Sequence, residues 1–230
     1  MSIFNGTRLT NEVFKLDVER MRTGWYSDKY FENVEMLLAA LSRAGYVYQG
    51  KSARALPCAP CDVRVGDIEV EVQWFTRREP YALVAGVDKA LAMLRHCTGY
   101  FNDERFVETW DRLDVQAVQD GVFVHYGGDP MNVQPVIRVR GPYWHFAALE
   151  TPTLGILSRA SRIATNVYNT LKAARGKPVL FFPARFDVHE VQAADGYAYD
   201  IGVRRFNKDY GGEVQSFVST DAQGDWWGGI

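Results

Sequence analysis

The chain has 230 residues, of which 47% are hydrophobic and 13% aromatic, enough to bury a substantial core and to exclude a disordered chain. Lys+Arg 26 against Asp+Glu 28 leave a net charge of −2, so there is no global electrostatic pull toward nucleic acid or an acidic membrane. No apolar run approaches the roughly 18 residues of a spanning helix, and the N-terminus has no apolar signal region. The expectation is a soluble, cytoplasmic protein without nucleic-acid or membrane partners. Cys58, Cys61 and Cys97 do not make a disulfide framework. Cys58-Ala-Pro-Cys61 is a single CxxC; zinc would need two more ligands, with His96 and Cys97 the nearby candidates, and two reduced loop cysteines are the simpler reading.

In chain order, Leu9, Val13, Leu16 and Met21 mark a short helix or extended segment over 8–22. Ser27 or Asp28 is suited to cap a helix whose apolar face holds Tyr30 or Phe31, Val34, Leu37, Leu38 and Leu41, ending near Gly45. Over 67–76, Ile68, Val70, Val72 and Trp74 alternate with Glu69, Glu71 and Gln73, the pattern of a half-buried strand. Ala82 to Cys97 reads as a helix terminated near Gly99. Residues 115–140 read as β structure, with Asp120-Gly121 as a hairpin turn between apolar runs. Asp88-Lys89-Ala90 matches the acceptor triplet of lipoyl and biotinyl carriers, but Lys89 falls in a helical pattern rather than on a hairpin tip, which excludes that function.

Arg138 and Arg140 alternate with Ile137 and Val139 on a strand stopped by Gly141-Pro142. Then Thr151, as N-cap, and Pro152, as first residue, open a long helix. Its stripe is Leu154, Leu157, Ala160, Ala164, Val167 and Leu171, and Gly155, Ser158, Ala160, Ser161 and Ala164 are small enough for another backbone to come close. Lys177 to Pro183 reads as a short buried strand, His189 to Ala198 as a helix and Glu213 to Ser219 as a second strand. This strand–helix–strand order suggests the opening of an α/β barrel. No P-loop, Rossmann or Ser-His-Asp signature is present, and His125, His145 and His189 lack metal-triad spacing.

Leu149-Glu-Thr-Pro-Thr-Leu-Gly-Ile-Leu-Ser-Arg-Ala-Ser-Arg-Ile-Ala-Thr165 resembles the junction helix of type II phosphoribosyltransferases, the nicotinate, nicotinamide and quinolinate enzymes of NAD synthesis. Arg162 stands where many members have Gly. Ser27-Asp-Lys-Tyr-Phe31 is similar to the segment of those enzymes, the archaeal-type nicotinate ones above all, whose tyrosine stacks on the pyridine ring from the partner subunit. Ile201-Gly-Val-Arg-Arg205 resembles their Phe-Gly-x-Arg, with Ile201 in place of Phe. The resemblance implies an α/β fold: an α+β domain with a barrel-like β portion over 1–145, then a junction helix and the start of an incomplete α/β barrel over 146–230.

The reaction it implies joins nicotinate to phosphoribosyl pyrophosphate, giving nicotinate mononucleotide and pyrophosphate, with Mg2+ and ATP as cofactors. A homodimer is implied in which Tyr30 reaches the partner's site. The implied substrate-binding residues are Asp28, Tyr30, Arg138, Glu150, Arg204, Arg205, Thr220 and Asp221. Of these, Arg204 pairs with an anionic substrate group, Glu150 holds an arginine, and Asp221 takes magnesium at the end of a barrel strand. Thr76-Arg77-Arg78 offers another anion contact. The family's phosphorylated histidine, in Gly-Thr-x-x-His, is expected beyond Ile230, so these residues read as the N-terminal portion of such an enzyme, inactive alone. The alternatives are a short non-catalytic relative that binds a pyridine ligand or pairs with another subunit, and specificity for nicotinamide or quinolinate.

Overall fold

The computed structural model describes residues 5–50 and 63–229; the Cys58–Cys61 pair lies outside them. The chain opens with two short helices, α1 (Asn11–Phe14) and α2 (Val18–Arg22), followed by α3 (Lys29–Arg43). The expected element over 8–22 is split because Lys15 adopts a left-handed conformation, φ 49°, which ends α1. Strand β1 (Glu69–Phe75) leads to β2 (Tyr81–Leu83) and α4 (Val87–Cys97). The single helix expected over 82–97 therefore divides into a strand and a helix. Gly86 makes the break at φ +94°, where an added Cβ would sit 3.1–3.2 Å from Ile156 and Ala160.

A β3 (Gly99–Asn102)–β4 (Arg105–Glu108) hairpin follows, then β5 (Asp114–Ala117), β6 (Phe123–His125) and β7 (Pro135–Pro142). Asp120-Gly121 does not make the expected hairpin. Strand β5 pairs with β7, and β6 pairs with β2 in a separate sheet, because the Asp120 side chain turns inward to bind the first turn of α4. Residues expected as a barrel-like portion form an open β1-β7-β5 sheet; among the described residues no closed barrel appears.

Alternation decides how that sheet sits. Val72–Val139–Val115 and Trp74–Ile137–Ala117 form rows on one face, and the buried members join a core with Val87, Leu94, Phe146 and Leu157. The opposite face carries the rows Glu71–Arg140–Asp114 and Gln73–Arg138–Gln116. One period-two pattern thus separates an apolar core from a charged surface.

Helix α5 (Glu150–Ala173) links this sheet to the rest of the chain. Leu157 packs on the sheet core, while Ala160, Ala164, Val167, Tyr168 and Leu171 belong to a second core with α6 (Gln192–Tyr210) and the N-terminal Phe14. The small residues of α5 act as expected. A Cβ on Gly202 would lie 2.9 Å from the Ala164 carbonyl oxygen and from the Val167 Cβ, so α6 crosses α5 nearly backbone to backbone. Hydroxyls on α5 also satisfy the unpaired edge of β2: the Leu83 N–H donates to Thr165 Oγ1 at 2.9 Å and the Ala85 N–H to Ser161 Oγ at 3.1 Å.

The last unit is strand–helix–strand, β8 (Leu180–Phe181), α6 and β9 (Phe217–Val218), with the strands parallel and α7 (Asp221–Gly224) after them. Both strands are shorter than expected, and Leu180 is 55% exposed rather than buried. Buried Tyr199 joins them: its hydroxyl donates to the Val179 carbonyl (2.7 Å) and accepts from the Phe217 N–H (2.9 Å), while its ring stacks on Phe181 at 4.9 Å. The chain is an α/β protein in which a parallel βαβ unit follows an antiparallel sheet.

Candidate functional site at the start of the junction helix

Three of the expected residues, Asp28, Tyr30 and Glu150, come together where α3 and α5 begin. Asp28 is the N-cap of α3 and its extended backbone (ψ 137°) turns the chain into the helix, yet its carboxylate does not cap that helix. Instead the Asp28 N–H donates to Thr151 Oγ1 (3.1 Å) and the Thr151 hydroxyl donates back to Asp28 Oδ2 (3.2 Å). Thr151 is thus not the N-cap of α5, which starts one residue earlier at Glu150 after two turns of 3-10 helix; its hydroxyl ties the two helix starts together.

The Tyr30 hydroxyl donates to the same Asp28 oxygen at 3.3 Å, and its ring, tilted on Phe31 at 4.3 Å, stays 60% exposed. Partial burial, reinforced by Asp28, raises the Glu150 carboxyl above its ordinary value. The Tyr143 hydroxyl is also raised, by burial and then by Glu150. The result is an open aromatic face backed by two carboxylates. Such a surface attracts electron-poor or cationic rings and repels anionic groups.

The other expected residues lie elsewhere. Arg138 pairs with Glu71 across the sheet at 3.5 Å rather than with Glu150. The 201–205 segment is not at a strand or helix end: it is the middle of α6, because the helix expected to stop at Ala198 continues to Tyr210. Ile201 is 3% exposed, part of the core. Arg204 pairs with Asp200 one turn back (2.5 Å) and borders a cavity of about 520 Å³ with Arg8, Tyr197 and Trp226. Arg205 points another way. It binds both Asp209 oxygens (2.9 Å) and the Gly121 carbonyl (2.9 Å), and lies 4.3 Å over the Phe123 ring. Those contacts fasten α6 to the β5–β6 connection.

Thr220 caps α7 in a reciprocal box with Gln223 and donates to Gln192 Oε1 at 2.9 Å. Asp221 is exposed in the first turn of α7. Among the described residues no group of three or more His, Cys, Asp or Glu side chains could hold a metal ion. No helix is long and apolar enough to cross a membrane among these residues.

Sequence reading missed two features. Arg159 binds buried Asp195 through two 2.8 Å contacts and also reaches Asp187, fixing the β8–α6 connection against α5. Tyr143 was also overlooked, although a tyrosine shortly before the Glu150 motif was visible. The reach of Arg159 to residues 28 and 36 positions later left no sequence signal.

Residues 61–161 match the family model described as the quinolinate phosphoribosyl transferase N-terminal domain. No curated protein matches the chain in sequence. Among solved structures, nicotinate-nucleotide pyrophosphorylase from Pyrococcus furiosus shares the fold with a TM-score of 0.56 at 19% identity, over 86% of this chain and 43% of that one. Human nicotinic acid phosphoribosyltransferase aligns with a TM-score of 0.49 at 21% identity, over 76% of this chain and 34% of that one. The chain therefore spans less than half the length of these two proteins.

Proposed function

We propose that this chain takes part in phosphoribosyl transfer to a pyridine in NAD biosynthesis, with nicotinate as the acceptor. The family match over 61–161 and the fold shared with the Pyrococcus furiosus pyrophosphorylase support the class of enzyme. The observation that carries the pyridine reading is the Asp28–Tyr30–Glu150 cluster, where an exposed tyrosine face is held by its own hydroxyl beside two carboxylates. When the ring nitrogen attacks the ribose carbon, the ring becomes a pyridinium cation and pyrophosphate leaves. Carboxylates beside the ring stabilise that developing charge. The nicotinate carboxylate must then face away from this cluster, toward a cation supplied elsewhere; Arg204 is the residue proposed for it.

Magnesium enters such reactions with the diphosphate and keeps much of its water, so one or two protein carboxylates suffice. Exposed Asp221, beside Thr220 at the end of β9, is the proposed contact. ATP is the proposed driver. We also propose a homodimer: exposed Tyr30 and Leu37 lie seven residues apart on one face of α3, with exposed Met36 beside Leu37, an apolar surface suited to a second copy that brings Tyr30 to the partner's ring site.

The test is nicotinate binding by calorimetry, together with formation of nicotinate mononucleotide from nicotinate, phosphoribosyl pyrophosphate, ATP and magnesium; quinolinate and nicotinamide serve as competitors. Nicotinate that fails to bind, or binds equally to Tyr30→Ala, refutes the reading. Ring binding without turnover is the second reading, favoured because the cluster itself contains no cation to neutralise pyrophosphate.

A further inference from the structure

We propose that the cleft between α5 and the β1–β2 connection binds a small anion with a flat apolar body, a carboxylate or a phosphate ester, held by Arg77, Arg78 and Arg162. The proposal does not rest on phosphoribosyl transfer. The cleft runs along α5 from Leu154 to Arg162, and its Arg162 end is twelve residues from Glu150, about 18 Å at 1.5 Å per residue.

The cavity is about 390 Å³, the size for a single-ring ligand. Its floor is Trp74, Val84, Val136 and Leu157, all buried. The Trp74 indole N–H is already satisfied by Thr153 Oγ1 at 3.0 Å, so this floor presents an apolar surface. Three arginines stand at its rim. Arg8, Arg22, Arg159 and Arg204 each bind a carboxylate; Arg77, Arg78 and Arg162 make no ion pair within 4 Å among the described residues.

Arg78 is pre-positioned by neutral groups. Its Nη2 donates to Asn166 Oδ1 at 2.7 Å and its backbone N–H to Thr76 Oγ1 at 3.1 Å. The Arg77 guanidinium lies 5.7 Å from the Phe75 ring. Asp187, whose carboxyl is lowered by its hydrogen bond to Arg159 and last of all by Arg162, acts on Arg162 only at a distance. Three cations over an apolar floor, none of them ion-paired among the described residues, suit a ligand that brings the negative charge and a flat apolar body. Guanidinium forks donate equally well to carboxylate and phosphate oxygens, so the head group is left to experiment.

The experiment is isothermal calorimetry of the full chain with benzoate, phenyl phosphate and inorganic phosphate. It is repeated on Arg77→Gln and Arg162→Gln, both exposed positions, with circular dichroism as the check of folding. At least one ring-bearing anion should bind tenfold or more tightly than inorganic phosphate. Arg77→Gln and Arg162→Gln should each weaken it about tenfold. The stronger of benzoate and phenyl phosphate identifies the head group. Binding of neither, equal binding of inorganic phosphate, or indifference to both arginine substitutions, as binding at the α3–α5 site would give, overturns the proposal.

Discussion

Asp120 is 3% exposed, and its carboxyl is pushed up to about 7, first by burial and then by the neighbouring Asp88. It accepts the Val87 N–H at 2.9 Å and the Tyr197 hydroxyl at 3.0 Å, and so joins the first turn of α4 to α6. The group ionises near 3.8 when unburied. Between pH 3.8 and about 7 the folded chain therefore holds a proton that the unfolded chain has released, and stability falls as pH rises through that window. At 1.36 kcal/mol per decade, the ionised carboxylate costs on the order of 4 kcal/mol well above pH 7. Asp120→Asn keeps the acceptor for Val87 and an amide toward Tyr197 while removing the charge. About half the cost should be recovered, roughly 2 kcal/mol, which is a Tm rise of about 4–8 °C at pH 8.5 for a chain of this size. At pH 4.5, where Asp120 is protonated in the folded state, Asp120→Asn should be neutral or mildly destabilising. Thermal unfolding followed by circular dichroism at both pH values is the assay. The same Tm change at both, or a loss at pH 8.5, refutes the assignment of a buried carboxyl raised to about 7.

The remaining expectations concern the helix crossing and the candidate site. Gly202→Ala places a methyl group 2.9 Å from the Ala164 carbonyl oxygen, so it should destabilise by about 1–3 kcal/mol in urea unfolding, whereas a gain would mean α5 and α6 do not cross there. Arg205→Lys should lower stability by about 1–2 kcal/mol through loss of the fork that reaches Gly121 and Asp209, with little effect on ligand binding; the opposite outcome would return Arg205 to the site. Arg204→Lys keeps the charge beside buried Asp200 but loses the planar fork, so it should weaken an anionic substrate as well as lower the Tm, and calorimetry with nicotinate reads the first separately from thermal unfolding. For Tyr30→Ala, losing one stacking face of order 1.4 kcal/mol should weaken nicotinate about tenfold, and an unchanged affinity would remove Tyr30 from the ring site.

Much of this architecture follows from local rules. The alternation over 67–76 fixed which side of β1 is buried, because successive side chains on a strand point to opposite faces. The three- and four-residue spacing on α5 identified the stripe that packs, and its small residues foretold a close crossing. The Asp28–Tyr30 and Glu150 motifs were legible as motifs; that they meet was not. A hydrogen bond between Asp28 and Thr151, 123 residues apart, depends on how α3 lies across the start of α5, and no periodicity records that. Partner choice for strands was equally hidden. Asp120-Gly121 has the composition of a hairpin turn, but the inward carboxylate found a better partner in the Val87 N–H, and β5 and β6 went to different sheets. The resemblance singled out Arg204, but the direction in which each adjacent arginine points was hidden in sequence. Helix α6 turns them about 100° apart, so that one faces Asp200 and the other is spent on Gly121, Asp209 and Phe123. Sequence sets what each segment prefers, because backbone period and side-chain polarity are local; which side chains share a site is decided only when the elements pack.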